Sequence, residues 1–459
     1  MNIRIKKGLN LRLEGGITNL PEAVRNCRRV SAATYAVCPD DYPGFKPKAV
    51  VREGDAVEAG APVLINKDYE AMSLVSPVRG TVKAVVRGDR RRILRVEIEA
   101  SENQETLTNE EKPLGRDGAE IAATLAKAGL LARFRERPYD VVPSAGVDKV
   151  RDIYVMAFDN APLAVSPVMA WDAPNTGKCL ARAAEILGKL TDGKVYFVTG
   201  HAVSAHMGAK GWTIPGVETV QAEGPYPSSL PGSIIAATRP LNKGERVWTL
   251  DATTMLRIGE LSLTGHVSFD NTVAVTGSEV RTPCLVKALD GAPLSTILEG
   301  NIKDNAAHKR IISGNVLTGV REDMEGYLRF PYRQVTVIPE GDDVDEFMGW
   351  ASLAPSKTSV KPSFPFSLAR KKFAPDARLN GGRRAMIMSG EYDKYMPMDI
   401  LPEYLLKAII AKDIDNMERL GIYEVAPEDF ALAEFADTSK LPLQQIVRDG
   451  LDYLRKELE

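Results

Sequence analysis

Over the first hundred residues the apolar positions fall in short runs cut by glycine and proline. Met1 to Lys7 alternates apolar with polar or basic residues, and Pro47 to Val51, Val63 to Ile65 and Arg91 to Ile98 follow in the same style. This pattern predicts a barrel-like module of strands over residues 1–100. Ala100 to Arg116 is polar, with several Glu, Asn and Thr, and reads as a linker. From Asp117 the period lengthens: Ile121, Leu125 and Ala128 share one helix face, and Asp152 to Ala157 is a buried strand. A second helix from Asn175 to Leu187 and a second strand from Lys194 to Thr199 repeat the cycle, predicting a βαβ domain with a partly parallel sheet over 117–255. Short strands return at 272–275, 284–287, 310–312 and 334–338, as expected of a small β domain over 256–340. Residues 341–385, rich in Pro, Ser, Lys and Gly, predict an extended arm, and residues 386–459 a helical end. On the final helix Leu443, Ile446, Val447, Leu451, Leu454 and Leu458 form a stripe at helical spacing, read as core, and Pro427 suits the first position of a preceding helix.

Length and charge narrow the possibilities. A chain of 459 residues suggests about three domains. With 59 Lys plus Arg against 61 Asp plus Glu, the net charge of −2 gives no global field for phosphate backbones, so no nucleic-acid partner is expected. Cys27, Cys38, Cys179 and Cys284 lack Cys-x-x-Cys spacing, as expected of reduced structural thiols in a cytosolic compartment. The amino-terminal segment lacks the apolar core of a signal peptide, and no run of about eighteen apolar residues occurs, so any membrane role is expected to be peripheral.

Familiar chemistry is scarce. His201, His206, His266 and His308 do not share a helix face at metal-ligand spacing. Gly200, Gly208 and Gly211 follow a strand but miss the G-x-G-x-x-G spacing that brings backbone N–H groups onto a pyrophosphate, and no phosphate-binding P-loop motif occurs. Arg87, Arg90, Arg91, Arg92 and Arg95 bracket the turn Gly88-Asp89, which predicts cations gathered at a hairpin tip. That tip is either simply solvated or docked against acidic partner loops or lipid headgroups. The strings Val51 to Gly60, Glu70 to Leu74 and Ser76 to Val82 resemble a biotinyl or lipoyl carrier domain in which Ser73 stands where the attachment lysine would be. A hydroxyl cannot form that amide and Lys67 lies outside the Glu-Ala-Met frame, so the barrel is expected to be structural, without an attachment lysine.

Several strings in order resemble the A subunit of the sodium-translocating NADH:quinone oxidoreductase over nearly the whole chain. They are Ile5 to Leu9, Ser76 to Gly80, Arg137 to Asp140, Phe158 to Leu163, Gly224 to Pro227, Val335 to Gly341, Gly381 to Met386 and, most specific, Tyr395-Met-Pro-Met-Asp-Ile-Leu-Pro402. The resemblance implies a multidomain α+β and α/β protein: an N-terminal lipoyl-like barrel-sandwich hybrid, a Rossmann-like βαβ domain similar to the FMN domain of the complex I flavoprotein, a small β-grasp (SLBB-like) domain and a C-terminal helical domain. That family is also similar to the C subunit of the Rnf complex. Those relatives hold FMN and NADH through a glycine-rich loop and carry an iron–sulfur cluster on C-terminal cysteines. This chain departs from both patterns. Ala128 to Pro138 replaces the flavin loop with bulky side chains, and no cysteine follows Cys284, so no such cluster is expected.

The resemblance implies a place on the cytoplasmic side of the bacterial inner membrane, peripheral to a six-subunit complex that includes membrane subunits, passes electrons from NADH to ubiquinone and exports sodium. FAD, FMN and iron–sulfur centres are expected on partner subunits. No cofactor, metal or independent catalytic centre is expected on this chain, and ubiquinone is the expected substrate. Phe134, Arg137 and Tyr139 supply the aromatic wall and donor that a quinone requires, and are the candidate quinone-binding residues. The alternatives are a cofactor-free docking subunit of the same or an Rnf-like complex, an independent flavoenzyme, which the bulky loop opposes, and a carrier domain, which Ser73 opposes.

Overall fold

The computed structural model describes residues 1–102, 113–144, 149–342, 359–360 and 372–458. Most of the predicted linker and arm lies outside the described residues.

Four sheets organise the described residues. In the barrel-sandwich unit, Thr34–Val37, Ile93–Ala100, Gly80–Arg87 and Ala56–Val57 form one sheet, and Pro47–Ala49, Pro62–Asn66 and Tyr69–Val75 the other. Val63, Leu64, Met72, Val82, Val96 and Ile98 are fully buried, and Val96 and Ile98, two apart on one strand, show the alternation expected of a strand with one buried face.

Here the carrier frame is corrected. Ser73 lies inside Tyr69–Val75, opposite Ile65, and is only 4% exposed, because the segment at Gly129 covers it. The turn joining Pro62–Asn66 to Tyr69–Val75 is Lys67-Asp68, so the exposed lysine at this hairpin tip is Lys67. Asn66 Oδ1 accepts the Lys46 and Asp68 amides at 3.1 and 3.2 Å and fixes that tip.

The second unit is a six-stranded sheet in the order Asn2–Arg4, Glu218–Glu223, Val195–Thr199, Asp152–Met156, Val247–Asp251, Arg135–Arg137. Five strands are parallel, and the last is an antiparallel edge. The first strand thus departs from the expected 1–100 barrel segment: its alternating Ile3 and Ile5 are buried against Val198, Val220 and Ile234 of this sheet. Helix Ala252–Thr264 packs on helix Thr176–Gly188, so the α/β unit runs past residue 255.

A third sheet, ordered Val320–Glu322, Lys309–Ser313, Gln334–Pro339, Asp270–Thr276, Cys284–Leu289, Arg28–Arg29, forms the β-grasp-like unit with helix Leu294–Leu298. Its last strand is again borrowed from the amino-terminal segment. The C-terminal helices Pro402–Ala411, Ile414–Arg419, Ala431–Ala436 and Leu443–Leu458 enclose a separate core. Leu443, Val447, Leu451 and Leu454 of the predicted stripe are fully buried, whereas Leu458 is 47% exposed at the helix end.

Candidate ligand cleft at the meeting of three sheets

Helix Gly118–Lys127 delivers the chain to Gly129, whose φ of +71° and close approach to Val75 and the Ser73 carbonyl leave no room for a Cβ without displacement. The chain then makes one 3₁₀ turn, Leu131–Arg133, and enters the edge strand Arg135–Arg137. Successive side chains of this stretch point to opposite sides.

On one side, Arg133 Nη2 donates to Asp290 at 2.6 Å, and its guanidinium lies 5.0 Å from the Phe330 ring centre. Arg135 lies 5.5 Å from the same ring and donates to the Asp41 carbonyl at 2.7 Å. Phe330 stacks on Tyr42 with centroids 5.0 Å apart and planes 4° from parallel. Arg133 Nη1 is buried and makes no hydrogen bond among the described residues.

These groups surround a cavity of about 40 Å³, bounded by Cys38, Asp41 and Tyr42 of the barrel, Gly129 and Arg133 of the α/β unit, and Asp290, Phe330 and Arg333 of the third sheet. That volume suits roughly three waters, or one small polar group.

Its electrostatics follow from burial. Burial opposes the Asp290 charge, but the guanidiniums of Arg133 and Arg257 outweigh it and hold the carboxyl below the usual range. Burial pushes Asp41 up to about 6, although Arg329 pairs with it at 2.6 Å and the Phe330 amide donates to it at 3.0 Å. Burial also pushes the Cys38 thiol up to about 12, so little thiolate is present at neutral pH.

The cleft adjoins the point where the α/β sheet reverses direction. From Asp152–Met156 the chain proceeds outward through Val195–Thr199 to Glu218–Glu223, then returns to Val247–Asp251 on the other flank. Ligands of open α/β sheets bind at the carboxyl ends of strands at such a reversal. Asp251, at that end, accepts the Thr254 amide at 2.7 Å and pairs with Arg333 of the cleft wall at 3.3 Å.

The three residues singled out from sequence do not converge on this cavity. Phe134 faces the other side, fully buried and edge-on to Trp248 at 5.6 Å. Arg137 is 2% exposed and turned toward the C-terminal unit, where it meets Glu428 at 3.4 Å and Asp429 at 3.5 Å, and it lies 3.6 Å from Asp140 of its own segment. Tyr139 is half-buried against the C-terminal core, and its carbonyl accepts from Arg448 at 2.7 Å. Tyr42, Asp290, Phe330 and Arg333 carried no local motif. For Arg133 the available signal was the alternation Arg133-Phe134-Arg135-Glu136-Arg137, which puts Phe134 on the face opposite its arginine neighbours. Among the described residues, no group of three His, Cys, Asp or Glu side chains is placed to hold a metal ion.

Comparison with known proteins gives matches along the chain. Residues 3–101 match the NqrA N-terminal barrel-sandwich hybrid domain, 116–267 the NqrA second alpha/beta domain, and 272–322 the NQRA C-terminal domain. Proteins named as the A subunit of Na(+)-translocating NADH-quinone reductase are 32% identical over 99% of this chain, from Neisseria meningitidis serogroup A (100% of the relative), Rhodopirellula baltica (98%) and Pasteurella multocida (100%). A solved chain of an NAD+-reducing [NiFe]-hydrogenase in the H2-reduced state is 12% identical, with a TM-score of 0.33 over 67% of this chain and 54% of that one.

Proposed function

The chain belongs to the NqrA family, the A subunit of the Na(+)-translocating NADH-quinone reductase, and from that membership we propose that it is a peripheral component of this sodium-exporting complex that contributes to ubiquinone binding. No described helix is long and apolar enough to cross a membrane. In this reading it sits at the cytoplasmic face of the bacterial inner membrane against the membrane subunits. The partner subunits carry NADH, FAD, FMN and iron–sulfur chemistry.

The observation that carries the quinone reading is the pairing, at one cleft, of the stacked rings of Tyr42 and Phe330 with the Arg133 Nη1 donor. A quinone ring needs apolar faces and a donor at a carbonyl oxygen. A guanidinium there also stabilises the negative charge that builds on that oxygen during reduction. Phe134 then acts from behind, setting the strand against Trp248, while Arg137 and Tyr139, further along the chain, tie it to the C-terminal helices. The smallness of the cavity favours the rival reading, a cofactor-free docking subunit.

Titrating the purified chain with a short-chain ubiquinone, with saturation-transfer NMR as readout, separates the two. Saturable binding is expected, weakened about tenfold (~1.4 kcal/mol) by Phe330→Leu and by Arg133→Gln in variants whose circular dichroism is unchanged. Absence of binding to the wild-type chain sinks the quinone reading and leaves the docking role.

A further inference from the structure

The hairpin tip between Gly80–Arg87 and Ile93–Ala100 plays no part in the cleft chemistry. Between residues 83 and 95 the sequence carries six cations, Lys83, Arg87, Arg90, Arg91, Arg92 and Arg95, against the single anion Asp89. Two of the six are neutralised locally: Arg92 pairs with Asp40 at 2.8 Å and Arg95 with Glu97 at 2.7 Å. Lys83, Arg87, Arg90 and Arg91 are exposed. Among the described residues, the Arg87 guanidinium meets only a backbone carbonyl, that of Arg91 at 3.1 Å. Leu94 stands 37% exposed beside them, against Gly88.

The backbone adds an independent observation. Arg90 and Arg91 both occupy the left-handed region, at φ of 52° and 61°. Two successive positive-φ positions in a hairpin turn are where Asn and Gly are favoured, because a Cβ there crowds the following carbonyl. Two arginines therefore stand where the backbone disfavours a Cβ. Strain of this kind collects at functional sites.

We propose that this tip is a membrane-docking surface that binds the headgroups of anionic phospholipids, with Leu94 reaching toward the acyl boundary. A convex, cation-bearing tip with an apolar residue beside it suits a planar anionic surface, where each Lys or Arg adds to the attraction. A local patch acts this way despite the net charge of −2, because screening confines its field to about 8–10 Å. The inference rests on membership of a membrane-bound assembly and is independent of the quinone reading.

The test is flotation of the full chain with phosphatidylcholine vesicles, with or without about one third phosphatidylglycerol. The wild type is expected to float with the anionic vesicles only, and to be released at high salt. Arg90→Asn/Arg91→Gly removes two charges and relieves the strain together. It is expected to lose about 30-fold in vesicle partitioning while melting no lower than the wild type. A second variant, Lys83→Gln/Arg87→Gln, changes charge without touching the turn and is expected to lose a similar amount. Absent or charge-independent vesicle binding by the wild type, or undiminished binding by both variants, overturns the proposal. Variants that assemble poorly with the other subunits yet bind vesicles normally would assign the tip to an acidic protein surface instead, which also overturns it.

Discussion

Arg137 joins the edge strand of the α/β sheet to the C-terminal unit through two carboxylates, Glu428 and Asp429, and also faces Asp140 of its own segment, none closer than 3.4 Å. Burial, helped by repulsion from Asp140, pushes Glu428 up to about 8 against the pull of Arg137. Its side chain is nevertheless 36% exposed, so solvent moderates the effect. With the folded value above the ordinary carboxylate range, the folded state binds the extra proton. The contribution of Glu428 to stability is therefore full in acid, below its unfolded value, and is lost as pH rises through about 8. Glu428→Gln is accordingly expected to melt like the wild type near pH 5 and above it near pH 9. An equal loss of melting temperature at both pH values would instead show the ionised carboxylate to be a net-favourable partner of Arg137. None of this could be read along the chain, where Arg137 and Glu428 are separated by 291 residues.

Elements were the most legible level, because each periodicity is a local property. The 3.6-residue stripe of the last helix and the apolar strands at 152–157 and 194–199 lie where the pattern put them. What periodicity left out is how closely elements approach. Helix Ala252–Thr264 meets helix Thr176–Gly188 at Gly259, where an added Cβ would lie 1.9 Å from the Cys179 carbonyl oxygen. Gly259→Ala must push the two helices apart, and a loss of about 1–3 kcal/mol is expected in chemical denaturation. A variant as stable as the wild type would mean that the helices slide at little cost. The same limit explains the misplaced carrier frame: a Glu-Ala-Met string suggested the tip, but pairing register put Ser73 inside a strand and Lys67 at the turn. Intact mass decides whether Lys67 carries a group.

At the scale of the molecule, the amino-terminal segment stitches the units together. Asn2–Arg4 completes the α/β sheet, Arg28–Arg29 completes the third sheet, and the barrel follows. The Ala36 amide donates to the Gly291 carbonyl at 3.0 Å, closing the barrel over the third sheet beside the cleft. In the quinone reading, a ring entering this cavity of about 40 Å³ displaces its walls, of which the Ala36–Gly291 seam is one. Bound ubiquinone is therefore expected to speed hydrogen exchange at Ala36 and its neighbours while the α/β core strands keep their protection. Quinone binding with unchanged exchange at Ala36 would place the ring elsewhere.

The sequence by itself determined the order of units, the type of most elements and the family resemblance, since each is written in local spacing and in strings read in order. Only the tertiary structure decided which side chains share a site. Cys38, Arg133, Asp290 and Phe330 come from three units and meet through strand pairing and helix packing. The inward turn of Phe134 and Arg137 was fixed by what the neighbouring sheet strand and the C-terminal helices had to bury.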